Sequence, residues 1–263
     1  MTGASYGVGR GIAEVLGTCG ATVYVTGRSS RHWTVEETAE LVSGRGGTGV
    51  PMRVDHTDDG QVAAVFARVR QEHGGLDLLV NNVWQWGPPD GYESPTRDQP
   101  LERWDAMFGV GVRSHFVATR LALPLMVERG RGLITFTQER PGDDARFLQN
   151  IVVDAAAATM QRMAQYLAEE LRTSGVTAVL VYLGWVRTVN MGMGFDPGAV
   201  GMTDEELVAV TQSPALVGRA IAMLAADPDV GRLTGRTLYA GDLAREYGFT
   251  DVDGRIPRYE GGK

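Results

Sequence analysis

The sequence is short of several things, and each shortage excludes a class of protein. It holds one cysteine, Cys19, in 263 residues, so no disulfide framework can form within the chain. The spacing places that thiol on the first helix as a small buried residue. The four histidines (His32, His56, His73 and His115) are scattered with no ligand spacing, and no metal site is expected. Positive charge is in deficit, 25 Lys and Arg against 32 Asp and Glu for a net −7. That leaves no basic footprint for nucleic acid. No apolar run approaches the roughly 20 residues that span a bilayer. The N-terminus shows no charged-then-apolar leader. These absences point to a cytoplasmic protein with neither a membrane nor a nucleic-acid partner.

What is present is glycine at the start. Thr2-Gly3-Ala4-Ser5-Tyr6-Gly7-Val8-Gly9-Arg10-Gly11 carries Gly3, Gly7 and Gly9, and an apolar-periodic segment (Ile12, Val15, Leu16) follows at once. The pattern predicts a tight turn feeding a helix N-terminus, where unpaired N–H groups and the helix dipole favour a diphosphate. A strand should precede such a turn, yet only Met1 and Thr2 do. In a doubly wound sheet the truncated strand would be the central one. Two unpaired strand edges buried without a partner would be costly, which favours a start upstream over a tolerated gap.

Beyond the turn, apolar strands alternate with helices. Strands are expected at 22–26, 48–54, 76–80, 133–137, 176–183 and 236–240. Helices are expected at 8–19, 34–43, 58–73, 101–128, 151–173, 203–210 and 214–226, and a polar tail closes the chain. Nearly continuous apolar strands between helices describe an α/β fold, a doubly wound parallel sheet of Rossmann type covered on both faces. Residues 1–263 read as a single domain. A long Trp-, Pro- and Gly-rich loop fills 84–100, a charged loop runs from Gln138 to Asn150, and a Gly- and Met-rich stretch near 190–210 reads as a substrate flap.

Several motifs then fall into register. Thr2–Gly9 resembles the TGxxxGxG turn of the short-chain dehydrogenase/reductase family. Asp55 sits like that family's adenine-contacting aspartate, Asn81-Asn82 resembles the start of its NNAG motif, and Gly184 with Thr188 resembles its PG…T segment. The tail Gly241–Gly248 and Asp251–Arg255 resembles the "member 1" branch. The resemblance covers nearly the whole chain and implies a dinucleotide site formed by Gly3, Ser5, Gly7, Val8, Gly9, Asp55, Asn81 and Thr188. It also implies a homo-oligomer paired through the helices at 101–128 and 151–173. At the end of the second strand an acidic residue would hold both ribose hydroxyls. Gly27 occupies that seat and Arg28 follows, so NADP(H) is favoured over NAD(H) through a guanidinium beside the 2′-phosphate. The competing reading makes Arg28 a solvated surface arginine.

The resemblance also shows what has been lost. The family reduces carbonyls with a tyrosine, a lysine four residues on, a serine and an asparagine. Aligned through Met163–Leu171, the tyrosine seat is Val153 and the lysine seat Ala157. The serine seat is Gln138 or Glu139, and the asparagine seat is Gly111. Tyr166, the one tyrosine on that helix, is followed four positions later by Glu170. Val83 and Trp84 replace the Ala and Gly of NNAG, and Leu183 replaces the proline before Gly184. An indole at Trp84 either crowds the nicotinamide end or packs beside Trp86 in the long loop. Substitute acids could be Glu139, in the charged loop with Arg140, Asp143, Asp144 and Arg146, and Asp154. A carboxylate in a helix's first turn also serves as dipole compensation. The expected function is an atypical, non-redox enzyme of cyclase, isomerase or dehydratase type on a small organic substrate such as a secondary metabolite. The alternatives are an NADPH-dependent oxidoreductase using another acid, and a catalytically inactive NADP(H)-binding pseudoenzyme.

Overall fold

The computed structural model describes residues 1–138, 150–188 and 203–257. The sequence's start and stop signals set its elements. Helix α1 (Gly7–Thr18) follows the glycine turn and leads into β1 (Thr22–Gly27). Thr34 and Glu37 form a capping box on α2 (Val35–Gly44), which precedes β2 (Thr48–Arg53). The Asp58 carboxylate caps α3 (Asp59–His73), and Gly74, at φ 69°, ends it by taking the left-handed conformation a side chain resists. After β3 (Leu78–Asn81) come α4 (Leu101–Trp104), a π-helical segment over Asp105–Arg113 and α5 (Ser114–Val127). Strand β4 (Gly132–Gln138) precedes α6 (Ile151–Glu170), whose first turn is capped by the Asn150 side chain. The order then runs β5 (Val176–Tyr182), β6 (Trp185–Val186), α7 (Asp204–Val210), β7 (Thr211–Gln212), α8 (Pro214–Ala226), β8 (Thr237–Tyr239) and α9 (Ala240–Tyr247).

All described strand pairs are parallel. Strands β3-β4-β5-β8 form one sheet and β1-β2 another, with β6-β7 a small ladder beside them. Apolar side chains pack on both faces. Ile12, Leu16, Val217 and Ile221 of α1 and α8 cover one, and Phe66, Val117, Leu125 and Met160 of α3, α5 and α6 cover the other. Burial on both faces is why β4 and β5 read as continuous apolar runs.

The residues that precede the glycine turn stand at the middle of the fold, between β1 and β3. The Met1 amino group donates to Tyr24 O (3.0 Å), Thr26 N to Met1 O (3.1 Å), Thr2 N to Val80 O (3.0 Å) and Ala4 N to Thr26 O (2.9 Å). Beneath Met1 the two strand edges face each other across a cavity of about 310 Å3, lined by Val23, Tyr24, Phe66, Leu78 and Val80 among others.

Three local expectations are corrected. Cys19 is exposed, not buried, because α1 ends at Thr18 and the thiol sits past its last apolar turn. The single helix over 101–128 is three segments, since the backbone widens to π-helix over Asp105–Arg113. The polar tail contains α9, whose Leu243 and Ala244 join the core. No described helix is long and apolar enough to cross a membrane.

Burial leaves two histidines neutral in the folded chain. Desolvation pulls His56 from 6.5 down to about 4 and His115 to about 3. The unfolded chain binds these protons at higher pH than the folded chain. The stability they contribute is therefore complete above about pH 7 and is lost as pH falls through 6.5 toward the folded values. Urea unfolding at pH 8, 6 and 5 should show a midpoint that drops at each step, and a flat profile would contradict the buried neutral state of these groups.

Candidate functional site

The site is built where the glycine turn, the C-terminal ends of the strands and the 84–100 loop converge. Close approach decides the turn. A Cβ on Gly3, which sits at φ +64°, would lie 2.6 Å from Val83 Cα, and one on Gly9 would lie 2.2 Å from Gly3 O. The Asn82 side chain donates to Thr2 O (3.2 Å) and Gly3 O (3.0 Å), holding the turn against the end of β3. Tyr6, at the N-cap of α1, provides no side-chain cap, so the helix's first N–H groups are open to a guest. Thr188 stands over them, its Cγ2 3.8 Å from where a Cβ on Gly7 would be.

Above the turn lies a cleft of about 1270 Å3, larger than the roughly 300–1,000 Å3 of typical ligand pockets. One end is lined by Ser5, Gly7, Gly27, Arg28 and Asp55. The Ser5 hydroxyl lies where a Cβ on Gly27 would fall, 2.3 Å away, so the seat after β1 is held to glycine by packing. The Arg28 guanidinium reaches Asp55 Oδ2 at 3.7 Å and donates to Gln85 Oε1 at 3.1 Å. Hydrogen bonds from the Thr57 N–H and hydroxyl hold the Asp55 carboxyl below its usual range, with the Arg28 charge adding to them.

The other end is lined by Trp84, Trp86, Tyr92, Gln138, Val153 and Trp185. Gln138 stands opposite Tyr182 in the β4–β5 register. Val153 sits in the first turn of α6, where Asn150 Oδ1 accepts its N–H at 3.0 Å. Ala157, one turn on, is fully buried. Trp84 and Trp86 meet edge to face, centroids 5.9 Å apart, so the indole does pack beside Trp86. It also fills the space over Gly111, where a Cβ would lie 2.3 Å from the Trp84 ring.

The structure therefore gathers Gly3, Ser5, Gly7, Val8, Gly9, Arg28, Asp55, Thr188, Gln138 and Val153 around one cleft. Asn81 is placed elsewhere. It is fully buried and its amide donates to Thr119 Oγ1 at 3.0 Å, while Asn82 lines the cleft in its stead. Asp154, Ala157 and Gly111 are not among the lining residues. Glu139, with Arg140, Asp143, Asp144 and Arg146, lies outside the described residues, as does the 190–202 part of the expected flap. Among the described residues no group of His, Cys, Asp or Glu could hold a metal ion.

Lys263 is the chain's one lysine. A tyrosine with a lysine four residues on therefore occurs only at Tyr259–Lys263, outside the described residues and far along the chain from α6.

Comparison with known proteins agrees with this geometry. The family model described as Enoyl-(Acyl carrier protein) reductase matches residues 3–241. The chain belongs to the short-chain dehydrogenase/reductase family. It is 35% identical over 267 residues to the mouse Dehydrogenase/reductase SDR family member 1, covering 97% of this chain and 83% of that one. It is 28% identical over 247 residues to the Escherichia coli 3-oxoacyl-(acyl-carrier-protein) reductase FabG, covering 91% and 93%. In fold it is similar to a crystal structure of a Xanthomonas campestris protein assigned as a dehydrogenase. There the TM-score is 0.79 at 24% identity, covering 97% and 91% of the two chains.

Two residues carry weight that the sequence did not reveal. Arg103 is fully buried and donates to Gln99 Oε1 (3.1 Å), Trp86 O (3.0 Å), Pro88 O (2.7 Å) and Asp90 O (3.0 Å), tying the long loop to α4. His115, neutral by burial, meets Val83 O at 2.9 Å and fixes the backbone beside Trp84. No sequence signal marked Arg103, because Gln99 and the loop carbonyls that it bonds lie before α4 begins.

The Trp84–Gly111 contact is testable. Gly111→Ala should cost about 1–3 kcal/mol by overpacking, read as a lowered urea midpoint. In a Trp84→Ala background, which is itself destabilised, the same Gly111→Ala step should cost much less. An equal cost in the two backgrounds would show that the indole does not fill this space.

Proposed function

We propose that this chain binds NADP(H) through the turn-and-Arg28 end of the cleft and acts on a small organic substrate without the tyrosine proton donor. In this reading it is an atypical, non-redox enzyme of cyclase, isomerase or dehydratase type. The observation that carries it is the pairing of an open phosphate turn with an apolar Val153, which can neither donate nor accept a proton, facing the same cleft. When bound, the dinucleotide would supply a hydride. Loss of general acid catalysis typically costs about 10²–10⁴-fold, so ordinary carbonyl reduction would be slow. Proton chemistry then falls to a carboxyl, and Glu139 is proposed as the acid ahead of Asp154, which is not among the residues that line the cleft.

Cofactor choice rests on Arg28, which crosses the mouth of the adenosine end between Asp55 and Gln85. A fork of N–H donors suits a 2′-phosphate. NADPH should bind at least about tenfold more tightly than NADH, a difference of about 1.4 kcal/mol, by fluorescence titration. Arg28→Asp should abolish or invert that preference. An unchanged ratio would return Arg28 to the solvated surface.

The activity test follows nicotinamide absorbance with a carbonyl panel and product formation without net redox change. Turnover of substrate with no NADPH consumed, lost in Glu139→Gln or Asp154→Asn, is the expected result. Carbonyl-dependent NADPH oxidation would instead identify an oxidoreductase with a different acid. Binding with no turnover of any kind would identify a pseudoenzyme.

The protein is further proposed to work as a cytoplasmic homo-oligomer. Leu101, Phe116, Ile151 and Tyr166 are 78%, 57%, 53% and 65% exposed on α4, α5 and α6, the helices through which the family resemblance expects pairing.

A further inference from the structure

The end of the cleft away from Arg28 is a wall of aromatic rings, and the chain invests in holding it still. Trp84 meets Trp86 at 5.9 Å, and Trp86 meets Tyr92 at 6.1 Å, both near edge to face. The Arg103 guanidinium lies over the Tyr92 ring, 4.9 Å from its centroid. Burying a cation is costly unless its donors are satisfied. Here they are spent on the backbone of the loop that carries the rings. The Gln99 amide adds bonds to Gly91 O (3.1 Å) and Tyr92 O (3.2 Å), and Asn150 adds one to Tyr92 O (2.8 Å). Gly87, at φ +75°, lies so close to Arg103 that a Cβ would come within 2.8 Å of its Cα. The loop is a built surface, and at its rim Trp86 remains 42% exposed.

The opposite side of this end is Val110, Val153 and Leu183. No Asp or Glu is among the described residues lining it, and the Arg103 donors are already engaged. A ring laid on an indole gains both area and face-to-edge electrostatics, whereas a charged ligand would lose its hydration with no partner of opposite sign among the described residues of this end. We infer that this end takes a flat, uncharged ring compound seated against Trp84 and Trp86. The inference rests on the reading that a dinucleotide fills the other end.

The test is calorimetric titration of the NADPH-loaded protein with three probes: 2-acetylnaphthalene, cyclohexyl methyl ketone and 2-naphthoate. The first should bind at least about tenfold more tightly than either other. Trp86→Ala should lose about tenfold for 2-acetylnaphthalene, and Trp86→Phe should keep its affinity within about threefold, with NADPH binding unchanged in both. The retained NADPH affinity shows that the variants are folded. Equal affinity for the flat and the puckered ketone, tighter binding of the carboxylate, or indifference to Trp86→Ala would each overturn the inference. The two readings fail separately. If NADPH does not bind while 2-acetylnaphthalene does, with the Trp86 dependence intact, the cofactor reading falls and this one stands.

Discussion

The molecule is organised around one steric constraint, the near-contact between the glycine turn and the end of β3. The backbone at Gly3 comes so close to Val83 that no Cβ fits, and Gly9 packs as closely on Gly3 O. Asn82 locks the approach with its amide to Thr2 O and Gly3 O. Only because the turn is drawn in does α1 present its uncapped N–H groups to the cleft. The same approach fixes where the chain leaves β3, and so where Val83 and Trp84 stand. Glycine turn and ring wall thus share one anchor, and His115 on α5 contributes a hydrogen bond at Val83 O.

The residues just before the turn join the two halves of the fold. They link β1 and β3 at the C-terminal ends of the strands, through hydrogen bonds that involve Met1, Thr2 and Ala4. The joined ends are those that bear the cleft, while a cavity lies lower, between Val23, Tyr24, Leu78 and Val80. Beside these bonds a neutral His56 is hydrogen-bonded at 2.8 Å to Thr26.

The sequence made the fold legible because its strongest signals are local. Glycines at 3, 7 and 9, apolar runs at β4 and β5, and caps at Thr34 and Asp58 each act within a few residues. The lining of the cleft was legible where it depends on those same segments, as for Ser5, Arg28, Asp55 and Thr188. It was not legible where long-range packing decides. Asn81 and Asn82 are adjacent and identical in type, and only strand alternation sends the first to Thr119 and the second to the turn. Arg103 looks like a surface arginine on a short helix until the 84–100 loop folds over it. Cys19 was misplaced because helical periodicity continues in sequence one residue past where the helix stops.

The positions that the sequence aligns with the family's tyrosine and asparagine are closely packed. Val153 belongs to a small apolar cluster with Met107, Val152 and Ala156, and Trp84, Tyr92 and Val112 pack against it. Trp84 in turn occupies the space that any side chain at Gly111 would need. A tyrosine placed at 153 would therefore meet an aromatic wall, and an asparagine at 111 would meet an indole. Positions 84, 111 and 153 are thus linked through contact, and changes at linked positions do not add independently. The buried Arg103 extends that linkage, because its donors hold the backbone of the loop that carries Trp86.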